Sequence, residues 1–247
     1  MTIDAERSAR RFLALNIRHG GGRRVTAIVN AITPANPDVI VLTEFRQNDS
    51  GAAIRAQLSD RGWLHQASSE PPLKTNGVLI AARAPLTASA AVLDVPEGRC
   101  RWLECRVGSI SLIGVYLPLN ARKLPYWAWL IERARERVGT HCMILGDFNT
   151  GKHFLDEAAA TFCGAEYPDQ LEQLGFVDAW RKLHPDGREY TWYSNRGNGF
   201  RLDYAWLSPS LQPALRAAAH LHNTRTDGVT DHAGLMISLD MEAGNLE

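Results

Sequence analysis

The chain has 247 residues, 45% of them hydrophobic, and its 27 basic side chains are matched by 27 acidic ones for a formal net charge of zero. That size fits one large domain spanning 1–247, with no linker-like stretch to divide it. Apolar runs such as Asp38 to Thr43 are far shorter than the roughly 20 residues that cross a bilayer, and zero net charge leaves any attraction to a polyanion to local clustering.

The opening "MTIDAERSARRFLALNIR" places charges where a signal peptide needs its apolar stretch, and Cys100, Cys105, Cys142 and Cys163 form no CxxC pair. Both features favour the cytoplasm and argue against a disulfide framework or a thiolate metal site. "RFLALNI" and "DVIVLTE" then read as apolar strands on either side of a helix over Val25 to Ile32, which Pro34 and Pro37 stop, a βαβ-like beginning. A second helix fits Ser50 to Arg61. Strands are expected over Val78 to Ala82, Ala90 to Val95, Arg101 to Val107 and Ile110 to Tyr116, a succession that suggests antiparallel hairpins rather than a purely doubly wound sheet. Leu124 to Val138 reads as a helix whose charged face carries Glu132, Arg133, Arg135 and Glu136, followed by the strand "HCMILG". The last third holds a helix over Pro168 to Leu174 and strands over Leu202 to Leu207, Ala214 to Leu221 and Ala233 to Asp240.

Polar residues recur where these strands end: Asn16, Glu44, Tyr116, Asp147 with Asn149, and Asp231-His232 at the start of the last strand. Asp203 lies inside the apolar run "RLDYAWL", where an unpaired carboxylate costs several kcal/mol and therefore requires a partner from elsewhere. Each has a plain alternative. Asn16, Asp147 and Asn149 are turn formers beside glycines, Glu44 fits the first solvated residue after a strand, Tyr116 fits core packing, and a lone His-Asp pair is common in loops. Their joint placement at strand ends is what a site on one rim of a layered α/β domain requires.

In this order "LNIRHGG", "LTEFR", "GVYLP", "ILGDFNTG", "RLDYAWLSPSL" and "TDHAGL" resemble the signature segments of the endonuclease/exonuclease/phosphatase superfamily, from Phe12 to about Leu239. "LEQLGFVDAWRKLHPDGREYTWYSNRGNGFRLDY" is most similar to the exonuclease III and AP endonuclease branch. The resemblance implies a four-layered α/β sandwich, two mainly antiparallel sheets packed face to face with helices outside. It implies a monomeric hydrolase of DNA phosphodiesters that depends on Mg²⁺ or Mn²⁺. Hard oxygen donors and the absence of HExxH or paired cysteines agree with that choice of cation.

By the same resemblance Glu44 is the principal metal ligand, with Asn16 and Asp231 beside the ion. Asp147 activates or orients water, Asn149 holds phosphate or base, His232 contacts the scissile phosphate, Asp203 orients His232, and Tyr116 contacts phosphate. Arg18, Arg46, Asn120, Arg196, Phe200 and Arg201 are the implied substrate contacts, Phe200 standing where AP endonucleases carry an aromatic that lines the abasic pocket. The chain departs from the pattern in Arg18-His19-Gly20, where a small polar or acidic residue is common, and in a shorter loop after Tyr116. Arg18, Arg23, Arg24, Arg46, Lys74, Arg122, Lys123, Lys152, Arg196 and Arg201 flank the motif loops, so a basic rim suited to a phosphate backbone is expected. Two other readings stay open: the same chemistry on a small or lipid phosphate ester, and a nucleic-acid-binding module without catalysis.

Overall fold

A computed structural model of the chain describes residues 9–89 and 99–241. The strands are β1 Ala9–Asn16, β2 Val39–Phe45, β3 His65–Ser68, β4 Gly77–Ala82, β5 Leu86–Ser89, β6 Trp102–Val107 and β7 Ile110–Tyr116. They continue as β8 Cys142–Asp147, β9 Val177–Asp178, β10 Trp192–Tyr193, β11 Gly199–Phe200, β12 Asp203–Leu207, β13 Leu215–Leu221 and β14 Gly234–Asp240. The helices are α1 Val25–Ile32, α2 Asp49–Asp60, α3 Leu124–Arg137, α4 Tyr167–Gln173, α5 Ala179–Leu183 and α6 Asn223–Thr226.

Two six-stranded sheets form, ordered β13-β14-β1-β2-β4-β3 and β5-β6-β7-β8-β12-β9, and β10 pairs with β11 as a separate hairpin. Each sheet has one parallel pair, β1 with β2 and β7 with β8; the other pairings are antiparallel. The parallel pairs are the ones whose crossovers carry α1 and α3, as a βαβ unit requires. The expected layered sandwich with mainly antiparallel sheets is therefore the fold observed. The strand expected over Ala90 to Val95 lies outside the described residues. The last strand begins at Gly234, so Asp231 and His232 sit in the bend before it rather than within it.

Period-two alternation distributes the core. Phe12, Ala14, Val39, Val41, Val78 and Ile80 of the first sheet pack against Leu103, Cys105, Leu112, Met143, Leu145 and Ala205 of the second. The opposite faces turn outward to helices. Leu13, Leu15, Ile40 and Leu42 meet Val25, Ile28, Val29 and Ile32 of α1, an i, i+3, i+4, i+7 stripe. Ile113, Val115, Ile144 and Trp206 meet Trp127, Leu130 and Ile131 of α3. Two glycines let the layers and strands approach. A Cβ on Gly114 would stand 3.0 Å from methyl groups of both Val41 and Val78 across the sheets. Gly146 has φ 149° and a Cβ there would meet the Val115 carbonyl oxygen at 2.1 Å.

Candidate active site

Glu44 occupies an irregularity in β2, where the register with β4 shifts between Thr43 and Phe45. Its φ of 58° is the left-handed region that non-glycine residues rarely adopt. A bulge of this kind re-aims one side chain out of the strand's alternation. The Glu44 carboxylate accepts the His19 backbone N–H at 2.7 Å, Asn76 Nδ2 at 2.9 Å and Asn16 Nδ2 at 3.1 Å. Asn16, at the end of β1, also donates from Nδ2 to Asp147 Oδ2 at 2.8 Å, so one amide joins carboxylates held by different sheets.

Asp147 ends β8 and lies directly opposite Asp203 of β12, with Tyr116 of β7 as its neighbour on the other side. Its Oδ1 accepts the backbone N–H of Asn149, whose own φ of 49° turns the chain back over the strand end. Asn149 Nδ2 donates to the Leu117 carbonyl at 2.8 Å, and Lys123 Nζ donates to the Asn149 carbonyl. Burial, with the Asp203 charge added, pushes the Asp147 carboxyl up to about 7, against the His232 charge and the hydrogen bonds from Asn16 and Asn149.

Asp203 finds its partner in His232, whose Nδ1 lies 2.9 Å from Asp203 Oδ2, both side chains almost completely buried. Burial works against a charged imidazole, but Asp203, with Asp147 and Asp231 beyond it, outweighs that and raises His232 to about 9. Three contacts set its position: Thr230 Oγ1 donates to the Asn16 carbonyl, Thr224 Oγ1 to the His232 carbonyl, and the Ala233 N–H to the Thr191 carbonyl. Tyr116 is raised to about 12 by burial and by the charges of Glu44 and Asp147, so its phenol stays protonated. Ligand atoms of Asp147, Asp203 and His232 lie within 4.8 Å of one another.

Above these groups lies a cleft of about 420 Å³, with Asn16 and Asp203 behind its wall rather than in it. His19, Glu44, Tyr116, Asn120, Asp147, Asn149, Phe200, Asp231 and His232 line it. Phe162, Trp192 and Phe200 supply an aromatic side, Phe200 lying 5.7 Å from the Phe162 ring and 5.8 Å from Trp192.

Not every expected contact reaches the cleft. Arg201 is a correction: it is 1% exposed and bonds Asp156 at 2.7 Å and Asp178 at 2.6 Å, so its guanidinium is committed to two buried carboxylates and is closed to phosphate. Arg196 stands exposed in the turn between β10 and β11, away from the cleft lining. Arg46 donates to Asn76 Oδ1 at 2.6 Å and supports the residue that supports Glu44. Arg18 remains exposed, 3.7 Å from Asp231. The basic rim is thinner than expected: Arg24 donates to three backbone carbonyls, Lys123 is buried, and Lys152 pairs with Asp169 and Glu172.

Sequence reasoning missed Asn76, Phe162 and Trp192. "TNG" reads as a turn, which hides the role of Asn76. The two aromatics carry no signal that separates a cleft wall from core.

The residues fit a hard divalent cation. Glu44 and Asp231 line the cleft with carboxylate oxygens, Asn16 is hydrogen-bonded to Glu44, and burial with the Asp203 charge pushes Asp147 toward protonation, which a neighbouring cation would offset.

Over residues 13–232 the chain matches the Endonuclease/Exonuclease/phosphatase family, and it belongs to that family. Its structure is similar to that of the 3′ phosphatase NExo from Neisseria bound to product DNA hairpin, with a TM-score of 0.80 and 24% identity over 94% of this chain and 99% of that one. It is similar also to an AP endonuclease from Archaeoglobus fulgidus, with a TM-score of 0.81 and 21% identity over 94% and 99%. The 3′-5′ exonuclease NExo from Neisseria meningitidis gives 0.80 and 24% over 93% and 99%. At these identities the likeness concerns the fold.

Proposed function

We propose that this protein is a divalent-cation-dependent hydrolase of DNA phosphoesters, of the exonuclease III and AP endonuclease kind. The observation that carries the reading is that Glu44, Asp147 and His232, the last backed by buried Asp203, line one aromatic-walled cleft. DNA is the favoured substrate because structures sharing this fold include a phosphatase bound to a DNA hairpin and an AP endonuclease. Glu44, Asn16 and Asp231 would hold Mg²⁺ or Mn²⁺, which supplies positive charge to the phosphoryl oxygens.

Asp147, held by Asn16 and the Asn149 N–H, takes the proton of the attacking water or fixes its direction. Its raised pKa suits a base working near neutral pH. His232 turns Nδ1 toward Asp203 and so leaves Nε2 to donate to a phosphoryl oxygen in the cleft it lines. Protonated Tyr116 adds a second donor. Phe200, with Trp192 and Phe162, offers an apolar face to a sugar lacking its base.

The test is a panel of labelled DNAs, an abasic duplex, a 3′-phosphate end and an ordinary duplex, each with and without EDTA. Cleavage is expected only with the cation, and Asp147→Asn and His232→Ala each lower the rate by about 10² to 10⁴ with folding retained. Wild-type protein that leaves all three DNAs intact with Mg²⁺ would remove this reading.

A further inference from the structure

Outside the catalytic cleft, one cluster has ligand chemistry that the proposed reaction does not use. His220 is on β13, and His222 follows it just past the strand end, where the chain turns into α6. Glu189 reaches them from the loop after α5. Both rings point at the same carboxylate oxygen: Glu189 Oε2 lies 2.9 Å from His220 Nδ1 and 2.9 Å from His222 Nε2. One ligand atom from each residue lies within 4.8 Å of the other two.

We propose that Glu189, His220 and His222 bind a transition cation of the Zn²⁺ class, which clamps the loop after α5 to the end of β13. Two imidazoles and one carboxylate are ligands that zinc takes, whereas Mg²⁺ prefers all-oxygen surroundings. Zinc ligands at about 2.0–2.2 Å stand about 3.3 Å apart on a tetrahedral edge. The two histidine-to-Glu189 separations of 2.9 Å therefore need to open by only a few tenths of an ångström, and the two imidazole ligand atoms lie within 4.8 Å of each other. Glu189 is exposed and His222 half-buried, which leaves solvent access for a water as fourth ligand. His220 is packed against Trp180, ring centres 4.9 Å apart, which fixes its orientation. The far nitrogens, His220 Nε2 and His222 Nδ1, have no protein partner. Binding should thus be about 10- to 100-fold weaker than in a site with carboxylates behind its histidines. The clamped loop leads through Thr191, whose carbonyl accepts the Ala233 N–H, into the cleft-wall residue Trp192.

None of the three residues lines the catalytic cleft, so this inference stands or falls separately from the nuclease reading. Metal-stripped full-length protein is titrated with Zn²⁺ calorimetrically in excess Mg²⁺, and its melting is followed with and without Zn²⁺. Wild type and Glu44→Gln should each bind one equivalent and melt higher with it. His222→Ala and Glu189→Gln, shown folded by circular dichroism, should bind at least tenfold more weakly. The proposal is overturned if wild type takes up no Zn²⁺, if both variants bind it as tightly as wild type, or if Glu44→Gln abolishes uptake.

Discussion

Asp147 and Asp203 are buried and directly opposed across β8 and β12, an arrangement that is unfavourable until something positive is placed beside it. His232 is that charge on the Asp203 side. Its folded pKa of about 9 stands above the ordinary 6.5, so protonation favours the folded state. The contribution is fully present below pH 6.5, is lost as pH rises through about 9, and amounts to something on the order of 3 kcal/mol. Denaturant unfolding in EDTA should therefore show wild type losing stability relative to Asp203→Asn between about pH 6 and about pH 9.5, with the gap closing at the alkaline end. A pH-independent difference would contradict the assigned ion pair. Arg201 has a different job from the one its motif position suggests. Its partners Asp156 and Asp178 are 45 and 23 residues away and equally buried. Arg201→Met should cost roughly 3–5 kcal/mol of stability, because it takes the buried cation from Asp178 and leaves Asp156 with Arg181 alone. Unchanged unfolding together with weakened DNA binding would restore the phosphate role.

At the level of elements, the site depends on strands that end at one place. β8 can lie beside β7 as it does because Gly146 lacks a side chain, its φ of 149° and the 2.1 Å approach of the Val115 carbonyl leaving no room for a Cβ. Gly146→Ala should displace the end of β8, which carries Asp147, and lower melting temperature and activity together. Retained stability and activity would show that the strand end is not rigid. β1, α1, β2 and β8 were legible in the sequence because each is long enough to display its period and each has a polar residue or a proline at or beside its end. β9, β10 and β11 have two residues each, too few for alternation to register, and α5 and α6 are barely a turn long. The strand-end carboxylates and amides were visible for a related reason: a polar residue closing an apolar run is an anomaly that periodicity exposes. Asn76 was hidden by its own turn signal. Arg201 was misassigned because the family resemblance and its place beside a motif loop point to substrate, while its burial is created by carboxylates that arrive through the tertiary fold.

For the whole molecule, the sandwich brings groups separated by most of the chain into one cleft: Asn16 reaches Asp147 across 131 residues and Thr230 reaches Asn16 across 214. With zero formal charge and several rim cations engaged internally, the proposed DNA binding gains little from long-range attraction. On the proposed reading turnover rests on the local field of the cleft, and Glu44, bulged out of β2 into the left-handed region, is the residue proposed to hold the cation there. The measurement that bears most directly on this is the rate of abasic-duplex cleavage as a function of Mg²⁺ concentration for wild type and Glu44→Gln. The account predicts saturable, EDTA-reversible cleavage by wild type, and a variant that is folded yet slower by about 10² or more and needs far higher Mg²⁺. Equal rates and equal Mg²⁺ dependence in the two proteins, or cleavage by wild type that EDTA leaves untouched, would contradict it.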